Sequence, residues 1–191
     1  MTRAISSVMR AAVAVSVLSF GGFAATAYAQ DPVTVGGAPM YSNKNIVENA
    51  VESKDHTTLV TAVKAADLVD TLSGDGPFTV FAPTNDAFGK LPDGTVETLV
   101  KPESKEMLTH VLTYHVVSGK MNAEDLMAEI KKGDGKYNMT TASGGALTAM
   151  MQGDNVVIMD ESGNSSTVTV ADVNQSNGVI HVVDTVLMPK M

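Results

Sequence analysis

The sequence has no cysteine and no tryptophan, and aromatic residues make up 5% of its 191 positions. Without cysteine there is no disulfide, no thiol nucleophile and no thiol to carry a lipid anchor, so the core alone holds the fold. Arginine is confined to Arg3 and Arg10, which leaves lysine as the basic residue everywhere else. Bidentate arginine recognition of phosphate or carboxylate is therefore excluded beyond residue 10. The acidic balance, with a formal net charge of −8, argues against nucleic acid and against attraction to anionic membranes. There is no HExxH, no Gly-x-Ser-x-Gly, no phosphate loop, no dinucleotide fingerprint and no acidic calcium loop. No long apolar run follows residue 20, so no membrane insertion is expected after the leader.

What is present begins with that leader. Arg3 and Arg10 precede an uncharged apolar run over residues 11–20, and Ala27-Tyr28-Ala29 before Gln30 fits a small-x-small cleavage site. Residues 1–29 read as a cleavable export signal, which places the mature chain in the periplasm or outside the cell. The leader holds two of the 13 basic residues and none of the 21 acidic ones, so its removal lowers the formal charge to −10. Residues 30–43 are Gly- and Pro-containing and aperiodic, and read as a mobile linker. Residues 44–191 then form one domain without internal repeats.

The chain is organised around Pro77-Phe78-Thr79-Val80-Phe81-Ala82-Pro83-Thr84-Asn85-Asp86-Ala87-Phe88. Phe78 through Phe81 reads as a strand that stops before Pro83. Thr84, Asn85 and Asp86 are helix-capping types and predict a short helical turn carrying Ala87 and Phe88. Phe81 and Phe88 are expected to pin strand and turn into one core. Two further segments stand out: Tyr114-His115-Val116-Val117-Ser118-Gly119 and Asn177-Gly178-Val179-Ile180-His181-Val182-Val183-Asp184-Thr185-Val186-Leu187-Met188-Pro189.

Periodicity supplies the rest. Helices are predicted from Asn45, with Ile46, Val47, Ala50 and Val51 at helical spacing, and from a cap at Asp55 or Thr57 running to Leu72. Further helices follow Thr95, Pro102 and Asn122. Residues 114–117, 137–141, 146–151, 155–159, 167–173 and 179–183 read as strands separated by Gly- and Asn-rich turns. Helices first and strands later indicate an α+β domain.

In order and spacing, the three quoted segments resemble the signatures of the fasciclin-type (FAS1) domain, over about residues 45–189. The resemblance implies a β-sandwich or wedge with helices packed around one side. It also implies adhesion, since the Tyr-His region has been linked to it and an Asp-plus-apolar tripeptide, matched here only by Asp172 and an aliphatic neighbour, is tied to integrin recognition in animal members.

On the residues themselves, His115 reads as a core histidine with Thr84 or Asn85 as its hydrogen-bond partner. His56, His110, His115 and His181 share no close spacing, so no metal site is expected. The ten methionines beyond the leader read as core filler in preference to Cu(I) ligands. Asp86 near His115 reads as a cap, not a catalytic dyad, and no catalytic residue or cofactor site is expected. The residues expected to matter by resemblance are Phe81, Thr84, Asn85, Asp86, Phe88, Tyr114, His115, Asp172, Asn177, Gly178 and His181. The leading expectation is a non-enzymatic module that contacts a protein or glycan at the cell envelope or matrix. The alternative is a carrier of an apolar small molecule such as a carotenoid, which some members of the resembling family hold.

Overall fold

The computed structural model describes residues 32–92 and 94–190, so the predicted export signal lies outside the described residues. A capping box opens the first helix, α1 (Ile46–Ala50): Asn45 Oδ1 accepts from the Glu48 N–H and the Glu48 carboxylate accepts from the Asn45 N–H. Neither Asp55 nor Thr57 caps the next helix, α2 (Thr57–Ala65), because a 3₁₀ turn at Lys54–His56 feeds straight into it. The helix predicted to reach Leu72 breaks after Ala66, where Asp67 takes a left-handed φ of 56° and α3 (Val69–Ser73) starts afresh. Aspartate tolerates that conformation better than most residues.

Beyond the breaks the order is α4 (Asn85–Gly89), α5 (Thr95–Leu99), α6 (Lys105–Tyr114) and α7 (Ala123–Lys132). The strands are β1 (Val33–Val35), β2 (Ala38–Met40), β3 (Phe78–Pro83), β4 (Val116–Ser118), β5 (Lys136–Thr140), β6 (Ala146–Gln152), β7 (Asn155–Met159), β8 (Ser165–Gln175) and β9 (Gly178–Val183). Seven strands form one sheet in the order β4-β3-β9-β8-β7-β6-β5. The pair β3–β9 is parallel, in register from Phe78↔Gly178 to Pro83↔Val183, and the other pairs are antiparallel. The sheet curls until its two ends meet: Val117 bridges Thr141, and the Ala142 N–H donates to the Val116 carbonyl at 2.7 Å.

Curling gives the sheet an outer and an inner face, and each has its own apolar core. Val80, Ala82, Ile180 and Val182 point outward to a core shared with Leu59, Val63, Leu72, Leu108 and Leu112 of the helices. Phe81 and Val183, one residue out of phase, point inward to Tyr114, Leu147, Ile158 and Leu187. This is the strand period of two, with both faces apolar because both are covered. The expected α+β wedge with helices on one side is therefore what the chain forms. Helix α7 departs from that rule, since Leu126 and Ile130 plug the inner core.

Three further expectations are corrected. Residues 33–40, read as a linker, form the hairpin β1–β2 around Gly36-Gly37, and Val35, Ala38 and Met40 are buried in the outer core. Tyr114 and His115, read as strand, are the last residue and the C-cap of α6, and the strand starts at Val116. Phe81 and Phe88 do not share a core: Phe81 lies in the inner one and Phe88 in the outer one.

Candidate functional site: the buried polar residues and the surface they hold

The three signature segments meet around β3 and β9, and their polar side chains are turned mainly to the protein itself. Thr84 caps α4, its Oγ1 accepting from the Ala87 N–H at 3.2 Å. Asn85 ties α4 to the start of α2, accepting from the Thr58 N–H at 3.0 Å and donating to the Lys54 carbonyl at 2.8 Å. Asp86 is exposed. Phe88 packs under the turn.

Tyr114 is fully buried and joins two turns: its hydroxyl donates to the Ala146 carbonyl at 2.7 Å and accepts from the Glu161 N–H at 3.0 Å. Gly145 is open to the tyrosine ring because a Cβ there would strike it. His115 does not meet Thr84 or Asn85. Its Nδ1–H donates to the Val111 carbonyl one turn back at 2.8 Å, and its Nε2 accepts from the Leu187 N–H at 3.0 Å. Burial holds the ring neutral, lowering its pKa to about 4 against the opposing pull of the Val111 carbonyl and the Asp160 carboxylate. The helical position explains the partner change, since Leu108, Val111, Leu112 and residue 115 lie on one face of α6.

His181 stacks on Phe81 with ring centroids 5.7 Å apart, donates from Nε2 to the Met121 carbonyl at 2.8 Å and accepts the Asp172 N–H at Nδ1. Burial lowers its pKa as well. Asp172 sits inside β8 at an irregularity in its pairing with β9, with a left-handed φ of 58°. Its carboxylate accepts from the Ala123 N–H at 2.7 Å, at the first residue of α7. Asn177 fastens three segments: Oδ1 accepts from the Ile46 N–H at 3.0 Å, and Nδ2 donates to the Leu72 and Gly74 carbonyls at 2.8 and 3.0 Å. Gly178 lies where a Cβ would run into the Phe78 carbonyl.

The structure thus joins Phe81, Asp172 and His181 in one cluster, Tyr114 and His115 to the turns and closing segment, and Asn177 and Gly178 to the start of β3. It keeps Asp86 apart from His115, both of whose nitrogens are engaged. Sequence reasoning missed Ser53 and His56, a buried pair joined through Oγ and Nδ1 at 2.9 Å. The Ser-x-x-His spacing ahead of a helix is the signal that was there to find. It also missed Asp160, whose carboxylate gathers the Ser162, Asn164 and Met188 N–H groups. Among the described residues no three His, Cys, Asp or Glu side chains cluster as metal ligands. No described helix is long and apolar enough to cross a membrane. An aliphatic cavity of about 50 Å³ lies between the hairpin, α1, α2 and the outer face of the sheet. Large apolar side chains reach solvent at Val33, Tyr41, Val51 and Met107.

A family model described as the Fasciclin domain matches residues 54–189. The chain belongs to the fasciclin domain family. A relative from Synechocystis, protein sll1483, is 49% identical over 157 residues, which is 82% of this chain and 80% of that protein. The cell surface glycolipoprotein MPB83 of Mycobacterium bovis is 32% identical over 166 residues, covering 84% of this chain and 68% of its own length. Among solved structures, a FAS1 domain pair from the insect cell adhesion molecule Fasciclin I superposes with a TM-score of 0.68 at 18% identity. The match covers 76% of this fasciclin chain and about half, 51%, of the domain pair. That likeness shows the fold. Of the eleven residues singled out by the resemblance, all but Asp86 pack or fasten this fasciclin domain.

Proposed function

We propose that this fasciclin domain is a non-catalytic interaction module, exported to the periplasm or beyond, that contacts a protein or glycan partner at the cell envelope or matrix. The observation that supports this most is where the hydrogen-bonding capacity of the signature residues goes. His115, His181, Tyr114 and Asn177 are engaged with backbone groups of the same chain. Nucleophilic catalysis requires a nucleophile, a base and an orienting group within reach of one substrate atom. The Ser53–His56 pair has no such opening, being 1% and 4% exposed. A scaffold with its polar residues fastened inward meets other molecules with its exterior. The cell-surface relative and the adhesion-molecule structure support the same reading.

The carrier alternative receives less support. A cavity of about 150 Å³ admits benzene, and the apolar cavity under the hairpin is about 50 Å³. The larger recesses among the described residues, about 350 Å³ beside Pro77 and Lys120 and about 240 Å³ beside Thr61 and Val100, are open and carry polar residues, a poor match to a long polyene. The test is a strain lacking the protein, assayed for attachment and for envelope association of the purified mature chain. Specific, saturable retention that restores attachment is the expected result. Unaltered attachment together with no retention on envelope or glycan supports would overturn the reading.

A further inference from the structure

Helix α7 and the closing segment after β9 both cover the inner core. Leu126 and Ile130 bring α7 into that core, and Leu187 brings in the closing segment. Each cover is fastened through the ring of a buried histidine. Leu187 donates its N–H to His115 Nε2 at 3.0 Å. The approach to α7 is held by the Met121 carbonyl, which accepts from His181 Nε2–H at 2.8 Å. The start of α7 is held by Asp172, whose own N–H donates to His181 Nδ1.

In both rings one nitrogen donates and the other accepts from a backbone N–H, so both are specified as neutral. A second proton would set an N–H against the Leu187 N–H or the Asp172 N–H. The charged group acting on His115 is Asp160, at the end of β7, and the one acting on His181 is Asp172 on β8. Both carboxylates favour the protonated ring, and burial outweighs them. His56 lines the helix-side cavity together with His115, and burial lowers its pKa too, against the Ala82 carbonyl and Asp55. It bonds Ser53 three residues away and accepts from no backbone N–H, however, so its proton breaks no backbone link between distant segments.

We propose that acid opens this domain locally, freeing the closing segment and α7 from the inner core while the helix-side core stays packed. His115 and His181 are the two latches. A closed-state value of about 4 against 6.5 for a freed ring raises the population with the His115 latch open by about 20-fold between pH 7 and pH 5. This inference is independent of the adhesive reading and survives its failure.

The experiment is amide hydrogen exchange on the mature chain from pH 7 to pH 4.5, expressed as protection relative to intrinsic exchange at each pH. The expected result is loss of protection at Leu187 and along α7, with α2 amides such as Leu59 and Val63 retained. His115→Gln removes the titration, so its closing segment is expected to stay protected at pH 5, and His181→Gln is expected to do the same for α7. Uniform loss across both cores overturns the proposal, as does unchanged protection down to pH 4.5. Should a variant fail to fold, ring-nitrogen NMR of the wild type decides: His115 titrating near 6.5 with the closing segment still protected also overturns it.

Discussion

Asn177→Ala is the substitution for which the structure sets the clearest magnitude. The side chain bonds the Ile46 N–H, the Leu72 carbonyl and the Gly74 carbonyl. These contacts link the residue before β9 to the start of α1 and the end of α3 across more than 100 residues of sequence. Truncation leaves three backbone groups without their partner. At about 1 kcal/mol net for each hydrogen bond, the loss is about 3 kcal/mol, softened where water reaches the half-buried site. For a domain of this size that corresponds to a fall in Tm of about 10 °C. Urea unfolding followed by far-ultraviolet circular dichroism measures it, and the slope with denaturant should not change, because the folded surface does not. Asn177→Asp sharpens the test. The carboxylate keeps the acceptor for Ile46 but faces two carbonyl oxygens, so at pH 7 it is expected to be worse than alanine. Near pH 3 the protonated acid donates one bond, so its deficit relative to alanine at the same pH is expected to narrow. A loss below about 0.5 kcal/mol for Asn177→Ala would refute the claim that these bonds carry the junction.

Other substitutions test other joints. Gly178→Ala drives a Cβ into the Phe78 carbonyl of the parallel pair, and a loss of at least about 3 kcal/mol is expected in the same unfolding assay, well beyond an ordinary point mutant. Tyr114→Phe removes the hydroxyl that joins Ala146 and Glu161, with an expected cost of about 1–3 kcal/mol and no change in secondary structure by circular dichroism. Leu126→Ala empties a fully buried position in the inner core, with an expected loss of about 2–5 kcal/mol by thermal unfolding.

The strand-rich half was legible because its alternation is regular and its turns carry glycine. β5, β6, β7 and β9 fall within a residue of the expected ranges, and β8 runs two residues further at each end. The first hairpin was missed although Gly36-Gly37 is a hairpin turn pair, because Pro39 weakens the strand pattern. In the structure Pro39 is exposed on a two-stranded ribbon and pairs with Thr34. At residues 114–117 four nonpolar or aromatic positions read as a strand, whereas the spacing from Leu108 onward carries the helix to Tyr114. The long-range partners of the site residues were not legible. His115 bonds a residue 72 positions away and Asn177 one 131 positions away, and no local pattern encodes such pairings. Thr84 was legible because capping is settled within three residues.

The parallel register between β3 and β9 has a consequence for biogenesis. Phe78 finds its neighbour at Gly178, a hundred positions later, so β3 has only the three-residue β4 beside it until almost the whole polypeptide has been made. Closing so long a loop is slow. Under the export proposed above, that delay leaves the chain extended for passage through a secretion channel. On that proposal, the centre of the sheet would assemble once β9 has crossed.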